Sequence, residues 1–84
     1  MIYMYQVIYK GATIESKHMI RIAHIIHTIQ VKEFKDTYMD VVEKGGFIKI
    51  PPSTADIYKS LVGRKPTKNQ IELLKSWYGD ERYI

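Results

Sequence analysis

The sequence predicts an α+β domain in which a small two-stranded sheet packs against helices. Three observations support this prediction. The N-terminal residues alternate as in a strand, a long central segment repeats its apolar residues at helical spacing, and the last third holds two short helices with start and stop signals. The expected order is β-α(α)-β-α-α, with a long or bent central helix and a C-terminal helix-turn-helix-like pair. At 84 residues the chain is expected to form one small domain, residues 1–84.

The N-terminal segment Met1–Tyr9 is predicted to be a strand. One of its sides carries Tyr3, Tyr5, Val7 and Tyr9. Because the other side is also largely apolar, we expect one face to be covered and the other to be partly exposed. The turn signal Lys10–Ala12 follows, and Thr13-Ile14 could begin a short returning segment. The three tyrosines could stack on nucleic-acid bases, but a ladder at the edge of the core, with hydroxyls reaching water, is the favoured interpretation.

The central segment Met19–Val31 is the densest apolar stretch of the chain. Its β-branched residues favour a strand, whereas the spacing of its polar residues favours a helix. The polar residues that share one helical face are Arg21, His24, Thr28, Lys32 and Lys35. The apolar residues on the opposite face are Met19, Ile22, Ala23, Ile26 and Ile29. We therefore predict a helix from about Lys17 to Gln30, with Ser16 as its N-cap.

A second apolar stripe begins after Gln30 and is out of phase with the first. It consists of Val31, Phe34, Tyr38, Val41 and Val42. Gln30 and Glu33 fall where the first stripe would require apolar residues, so the sequence predicts either a bend near Gln30 or two helices with a tight joint. Gly45-Gly46 is expected to end the helical run, because glycine adopts the left-handed conformation of a helix C-cap without steric strain.

A second strand is predicted at Phe47–Ile50, where Pro51-Pro52 would stop it. Because this strand is short, it would need to pair with the N-terminal strand. In an alternative arrangement Met1–Tyr9 pairs with a strand of a second molecule, since an exposed sheet edge would allow a homodimer.

Two helices are predicted in the last third of the chain. The first begins at the N-cap Ser53 and ends at Gly63. The second begins with Thr67 and Gln70, which fit the capping-box pattern, and it ends at Tyr78. The connection between them is short and contains a glycine, as in helix-turn-helix units.

This helix pair suggests nucleic-acid binding. Its second helix would enter the major groove by its N-terminal end, where Lys68, Asn69 and Gln70 could contact base edges. Arg64 and Lys65 in the turn would contact phosphates. From residue 44 to residue 75 the chain has seven basic and two acidic residues, a balance of +5, which favours binding to polyanions.

An acidic stripe and the tyrosines suggest a protein partner instead. From residue 31 to residue 43, four acids and two lysines give a balance of −2, and the acids recur at helical spacing. The residues predicted to meet a partner are Tyr3, Tyr5, Tyr9, Asp36, Asp40 and Glu43. Because tyrosine is enriched at interfaces and no catalytic motif is present, we favour a small binding or regulatory protein that engages or inhibits a protein partner. Nucleic-acid binding is the alternative.

Several functional classes receive no support from the sequence. There is no cysteine, no glycine-rich phosphate loop and no base placed to activate a serine, so we expect neither enzymatic activity nor a cofactor. His24 and His27 could share a metal ion, but further ligands at a standard spacing are missing, so no metal site is predicted. No segment has the uninterrupted apolar length of a membrane span.

The composition also bears on location and origin. The absence of cysteine is most simply explained by a reducing compartment, so we expect a cytoplasmic protein. Short chains without a catalytic signature are common among viruses and mobile elements, and richness in isoleucine, lysine and tyrosine fits an AT-rich genome. If the chain is viral, the expected location is the cytoplasm of the host cell.

Overall fold

The computed structural model of the chain describes residues 4–46 and 50–78, apart from the side chain of Tyr78. The described residues form a two-stranded sheet followed by three helices. The elements are β1 (Tyr5–Tyr9), β2 (Ala12–Ser16), α1 (Met19–Glu43), α2 (Thr54–Val62) and α3 (Lys68–Tyr78). The prediction of a small α+β fold is confirmed, and the observed order of elements is β-β-α-α-α.

The two strands form a hairpin at the N-terminal end of the chain. β1 pairs antiparallel with β2, and the hairpin closes where Tyr9 lies opposite Ala12. Among the described residues, the partner of β1 is therefore β2 and not the predicted strand Phe47–Ile50. Ile50 is not in a strand, and Phe47–Lys49 lies outside the described residues.

The turn of the hairpin explains why β2 is the partner of β1. Lys10 and Gly11 connect the strands with positive φ angles of 50° and 81°. Both central residues of a type I′ turn have positive φ, and this turn matches the twist of the paired strands. A loop this short also loses little entropy on closing. Because Lys-Gly is a weaker hairpin signal than Asn-Gly, the sequence alone indicates only a short returning segment here.

α1 is one uninterrupted helix of 25 residues. The alternative of two helices joined near Gln30 is therefore wrong. The N-cap of α1 is His18, which forms no side-chain cap hydrogen bond. Ser16, the predicted N-cap, belongs to β2 instead, and its Oγ accepts the His18 N–H at 3.2 Å. The helix ends as predicted at the glycine pair, where Gly45 has a φ of 72° and its N–H donates to the Val42 carbonyl.

The core is built on the first half of α1, against which the hairpin, α2 and α3 all pack. Its buried apolar side chains are Ile14, Ile20, Ile22, Ala23, Ile26, Ile57, Tyr58 and Leu74. Ile22, Ala23 and Leu74 are completely inaccessible to solvent. The apolar face predicted for the central helix is confirmed, with Met19 and Ile29 at its partly buried edge.

Local capping sets the ends of α2 and α3 as predicted. The Ser53 Oγ accepts the Asp56 N–H at 3.2 Å, and Gly63 ends α2 in the left-handed conformation with a φ of 86°. At α3, the Gln70 Oε1 accepts the Thr67 N–H at 2.8 Å, and the Thr67 Oγ1 accepts the Gln70 N–H at 3.3 Å. The capping box is therefore confirmed.

An aromatic contact adds to the packing of α3 against α1. The Trp77 ring centre lies 4.9 Å from the guanidinium carbon of Arg21, which is a cation–π geometry. It also lies 5.8 Å from the centre of the His24 ring. These contacts join the polar side of α1 to the C-terminal end of α3.

His27 is buried, with 5% of its surface exposed, although the sequence places it at the edge of a solvated face. Burial disfavours the charged imidazolium, so the pKa of His27 is lowered from its ordinary value. Partial burial also lowers the pKa of His24, and the neighbouring Arg21 and His27 add to this shift. The fold therefore favours the neutral form of both side chains.

We predict that the protein loses stability as the pH falls below about 6.5, the ordinary histidine pKa. In that range the unfolded chain takes up protons at His27 and His24 that the folded protein resists, so proton uptake favours unfolding. Above that range the two histidines are neutral in both the folded and the unfolded chain, so they no longer make stability depend on pH. Melting temperatures measured between about pH 8 and about pH 5 should show this decline.

The substitution His27→Gln should reduce the fall in melting temperature at low pH, because it removes the more deeply buried of the two histidines. His18→Gln is the matched control for the replacement of a histidine, since His18 is exposed. A wild-type melting temperature that stays constant across this pH range would contradict the prediction.

Candidate functional site

The C-terminal part of α1 leaves the core and continues as an exposed helix. We refer to residues 33–43 as the helical arm. No side chain in the arm is buried, and only Phe34 and Val41 are even partly covered. At 1.5 Å per residue the arm is about 16 Å long. The described part of the chain therefore leaves a helical surface of this length uncovered.

One side of the arm is apolar. Tyr38, Met39 and Val42 are 42%, 61% and 46% exposed, and the ring centres of Phe34 and Tyr38 lie 5.3 Å apart. At 3.6 residues per turn, this side is rotated by roughly a quarter of a revolution from the face of α1 that fills the core. The out-of-phase stripe in the sequence thus marks a second apolar face on the same helix. It does not require a joint between two separate helices.

Two grooves adjoin Phe34 and extend this apolar side. Their volumes are about 600 Å³ and about 320 Å³, and Phe34, Ile50 and Pro51 line both of them. Ile50 is 76% exposed. The larger groove reaches Thr37 on the arm, and the smaller one reaches His27. The apolar surface therefore continues from the arm to the segment that precedes α2.

The opposite side of the arm is acidic. It carries Glu33, Asp36, Asp40 and Glu43, all of them exposed. The structure thus brings the three acidic residues predicted to meet a partner onto one face. Asp40 pairs with Lys44 at 3.1 Å, whereas Asp36 and Glu43 form no ion pair with any described residue. Exposed pairs of this kind add little to stability, so the acidic face is a solvated surface.

The structure separates the predicted tyrosines from one another. Tyr3 lies outside the described residues, while Tyr5 and Tyr9 occupy the two ends of β1. Tyr5 is 49% exposed. The Tyr9 hydroxyl accepts a hydrogen bond from the Gln30 Nε2 at 3.2 Å, and the Lys10 Nζ lies 5.5 Å from its ring centre. Tyr9 is therefore a contact between the hairpin and α1, and its hydroxyl bonds to Gln30.

A basic surface surrounds the α2–α3 turn. Arg64, Lys65, Lys68 and Asn69 are exposed there, and we refer to these four residues as the basic end. None of its three cations forms an ion pair with another residue that the structure describes. Four of the five residues predicted to bind nucleic acid are thus accessible on one surface.

Gln70, the fifth of these residues, is engaged inside the fold. Its Oε1 accepts the Thr67 N–H, and its Nε2 donates to the hydroxyl of Tyr58 at 2.9 Å. Pairing with a base would break both hydrogen bonds, so we leave Gln70 out of the proposed reading residues. Sequence reasoning missed the bond to Tyr58, although a buried tyrosine usually requires a partner for its hydroxyl.

Metal ligation, membrane insertion and similarity to known proteins give no indication of a further site among the described residues. Across residues 4–46 and 50–78, no group of three or more histidine, cysteine or acidic side chains could hold a metal ion. Within the same residues, no helix combines the length and the apolarity needed to cross a membrane. Comparisons with protein-family models, curated proteins and solved structures find no match. The candidate surfaces are therefore the helical arm and the basic end.

We predict that Gln70→Ala lowers the free energy of unfolding by about 1–2 kcal/mol, because it removes a capping partner and the hydrogen bond to buried Tyr58. Asn69→Ala, at the neighbouring exposed position, should change it by less than about 0.5 kcal/mol. Urea unfolding of both variants measures the difference. Equal stabilities of the two variants would show that Gln70 has no structural role.

Proposed function

We propose that this protein is a small non-enzymatic binding protein that engages, and thereby regulates or inhibits, a protein partner through its helical arm. The observation that carries this proposal is the apolar side of the arm, which stays exposed next to a formed core. Contiguous exposed apolar surface on a small domain is unfavourable unless something covers it, and it is typical of interaction sites.

The arm has the features of a helix that binds in a groove. In this mode an amphipathic helix places its apolar face in a hydrophobic groove of the partner, and a few side chains at helical spacing act as anchors. Tyr38 and Met39 are the best candidates for anchors. A tyrosine contributes a large contact area with a polar tip, and a methionine adapts to irregular pockets.

The acidic face gives the arm a second property. Asp36 and Glu43 lie away from the apolar anchors and are exposed to solvent. Charges in such a position act at long range, so they raise the association rate with a partner of opposite sign more than they hold the complex together. The proposed partner therefore has an apolar groove in a basic surface.

We predict that the double variant Tyr38→Ala/Met39→Ala weakens partner binding at least about tenfold, mainly through faster dissociation. Asp36→Lys/Glu43→Lys should instead slow association and alter its salt dependence. The measurement is a pull-down that yields one stoichiometric partner, followed by binding kinetics with that purified partner.

The matched control for the arm variants is Ile8→Ala. Ile8 is 75% exposed but lies on the hairpin, so its replacement should leave the kinetics unchanged. Circular dichroism should show the same helix content for all variants. A partner that binds the arm variants and wild type equally well would exclude the arm as the docking surface.

The alternative function is nucleic-acid binding through the basic end. Its support is that Arg64, Lys65 and Lys68 are exposed without ion pairs among the described residues. Arg64 and Lys65 would contact phosphates, leaving Lys68 and Asn69 to reach base edges. This function would use a surface distinct from the arm.

If nucleic acid binds, Arg64→Ala/Lys65→Ala should weaken binding to all sequences and reduce the slope of log affinity against log salt by about two. Asn69→Ala should relax sequence preference. Fluorescence anisotropy with a duplex and a single strand at several salt concentrations tests this. Lys35→Ala, an exposed lysine on the arm, is the control, and absence of binding at low salt would reject the alternative.

Two further proposals concern assembly and location. Each strand of the hairpin has one edge that pairs with no other described strand, so a homodimer through strand pairing remains a proposal. We also propose that the protein meets its partner in the cytoplasm, which is that of the host cell if the chain is viral. Neither proposal is needed for the function of the arm.

A further inference from the structure

A cavity of about 360 Å³ lies where β1, the start of α1 and the α2–α3 turn meet. Its polar lining is formed by Lys17, His18, Tyr58, Arg64 and Gln70. Leu61 and Val62 contribute to its apolar lining. The described residues that line this cavity include no aspartate and no glutamate. The cavity therefore combines basic and hydrogen-bonding groups without an internal counter-charge.

Two cations from separate parts of the chain share this cavity. Lys17 lies just before α1 and Arg64 just after α2, and both are exposed. Neither forms an ion pair with a described residue. Like charges held around one cavity raise its positive potential, so the fold favours an anion at this place.

The hydroxyl of Tyr58 is a buried donor in the wall of the cavity. Tyr58 is 2% exposed, and its oxygen accepts the Gln70 Nε2–H at 2.9 Å. The Gln70 amide cannot be turned around, because its Oε1 already accepts the Thr67 N–H at 2.8 Å. The Tyr58 hydroxyl proton finds no acceptor among the described residues. An anion oxygen in the cavity would accept this proton in place of water.

The first turn of α1 supplies further donors at the same place. The N-cap His18 provides no side-chain cap, and its carbonyl accepts the N–H groups of Arg21 and Ile22. The N–H groups of Met19 and Ile20, two residues that line the cavity, make no hydrogen bond to any described residue. The first turn carries no acidic residue, so the positive end of the helix dipole is uncompensated.

We propose that this cavity binds the phosphate group of a small molecule, either inorganic phosphate or a phosphomonoester. The several oxygens of a phosphate suit the forked guanidinium of Arg64, the Tyr58 hydroxyl and the free N–H groups together. The apolar wall at Leu61 and Val62 would accept the organic part of a phosphomonoester. This site includes no residue of the helical arm. The proposal for the cavity and the function proposed for the arm can therefore be tested, and rejected, independently of each other.

The experiment is a titration of the ¹⁵N-labelled full chain, followed by NMR. The two probes are inorganic phosphate and phenyl phosphate, at an ionic strength held constant with chloride. Saturable shifts at the Met19 and Ile20 amides, with none in the helical arm, are the expected result. Tighter binding of phenyl phosphate would indicate a phosphomonoester ligand, and equal binding would indicate free phosphate. Absence of saturable shifts with both probes would overturn the proposal.

Three variants test the assignment of the donors. Tyr58→Phe removes the buried hydroxyl but keeps the ring, and it should weaken phosphate binding about tenfold. Arg64→Ala, at an exposed position that does not endanger the fold, should weaken it at least as much. Lys65→Ala is the matched control, because Lys65 lies next to Arg64 but does not line the cavity. An equal loss in the Lys65 variant would show diffuse charge attraction and would also overturn the proposal.

Discussion

Burial of the first half of α1 is the constraint on which the rest of the structure depends. Ile22 and Ala23 are inaccessible to solvent because the hairpin, α2 and α3 cover this part of the helix. A domain of this size has little surplus stability, so it depends on the apolar side chains that the hairpin, α2 and α3 pack against that one helical face. The second apolar face of α1 is turned roughly a quarter of a revolution away, so it cannot join the same core. The exposure of the helical arm follows from this geometry.

The length of α1 also separates the proposed binding surfaces. A helix of 25 residues spans roughly 37 Å, with the anion cavity at its start and the arm at its end. Charges this far apart are screened from one another at physiological salt, because the Debye length is then about 8 Å. A ligand in the cavity and a partner on the arm would therefore act on the protein independently, unless binding at one end changes the stability of the whole helix.

Polar side chains that hydrogen-bond to one another inside the fold are not available to bind a ligand at the surface. Gln70 caps α3 and also bonds to Tyr58, so one side chain joins the start of α3 to the buried face of α2. That dual role makes the Gln70 amide unavailable for nucleic-acid recognition. His27 is likewise engaged inside the fold, where burial lowers its pKa and favours the neutral imidazole. Neither role follows from the residue type.

The sequence by itself determined the fold class, the ends of α2 and α3 and the C-terminal end of α1. Ser53, Gly63 and the Thr67–Gln70 box act through contacts within a few residues, so their patterns can be read directly. The partner of β1, the burial of His27 and the cavity at Arg64 were decided only by the tertiary structure. Each of these features depends on which faces of distant segments pack together. The periodicity of the sequence shows that a helix face is apolar, but it does not show which segment covers that face. For the same reason the sequence could show the second stripe of α1, but only the fold left it exposed.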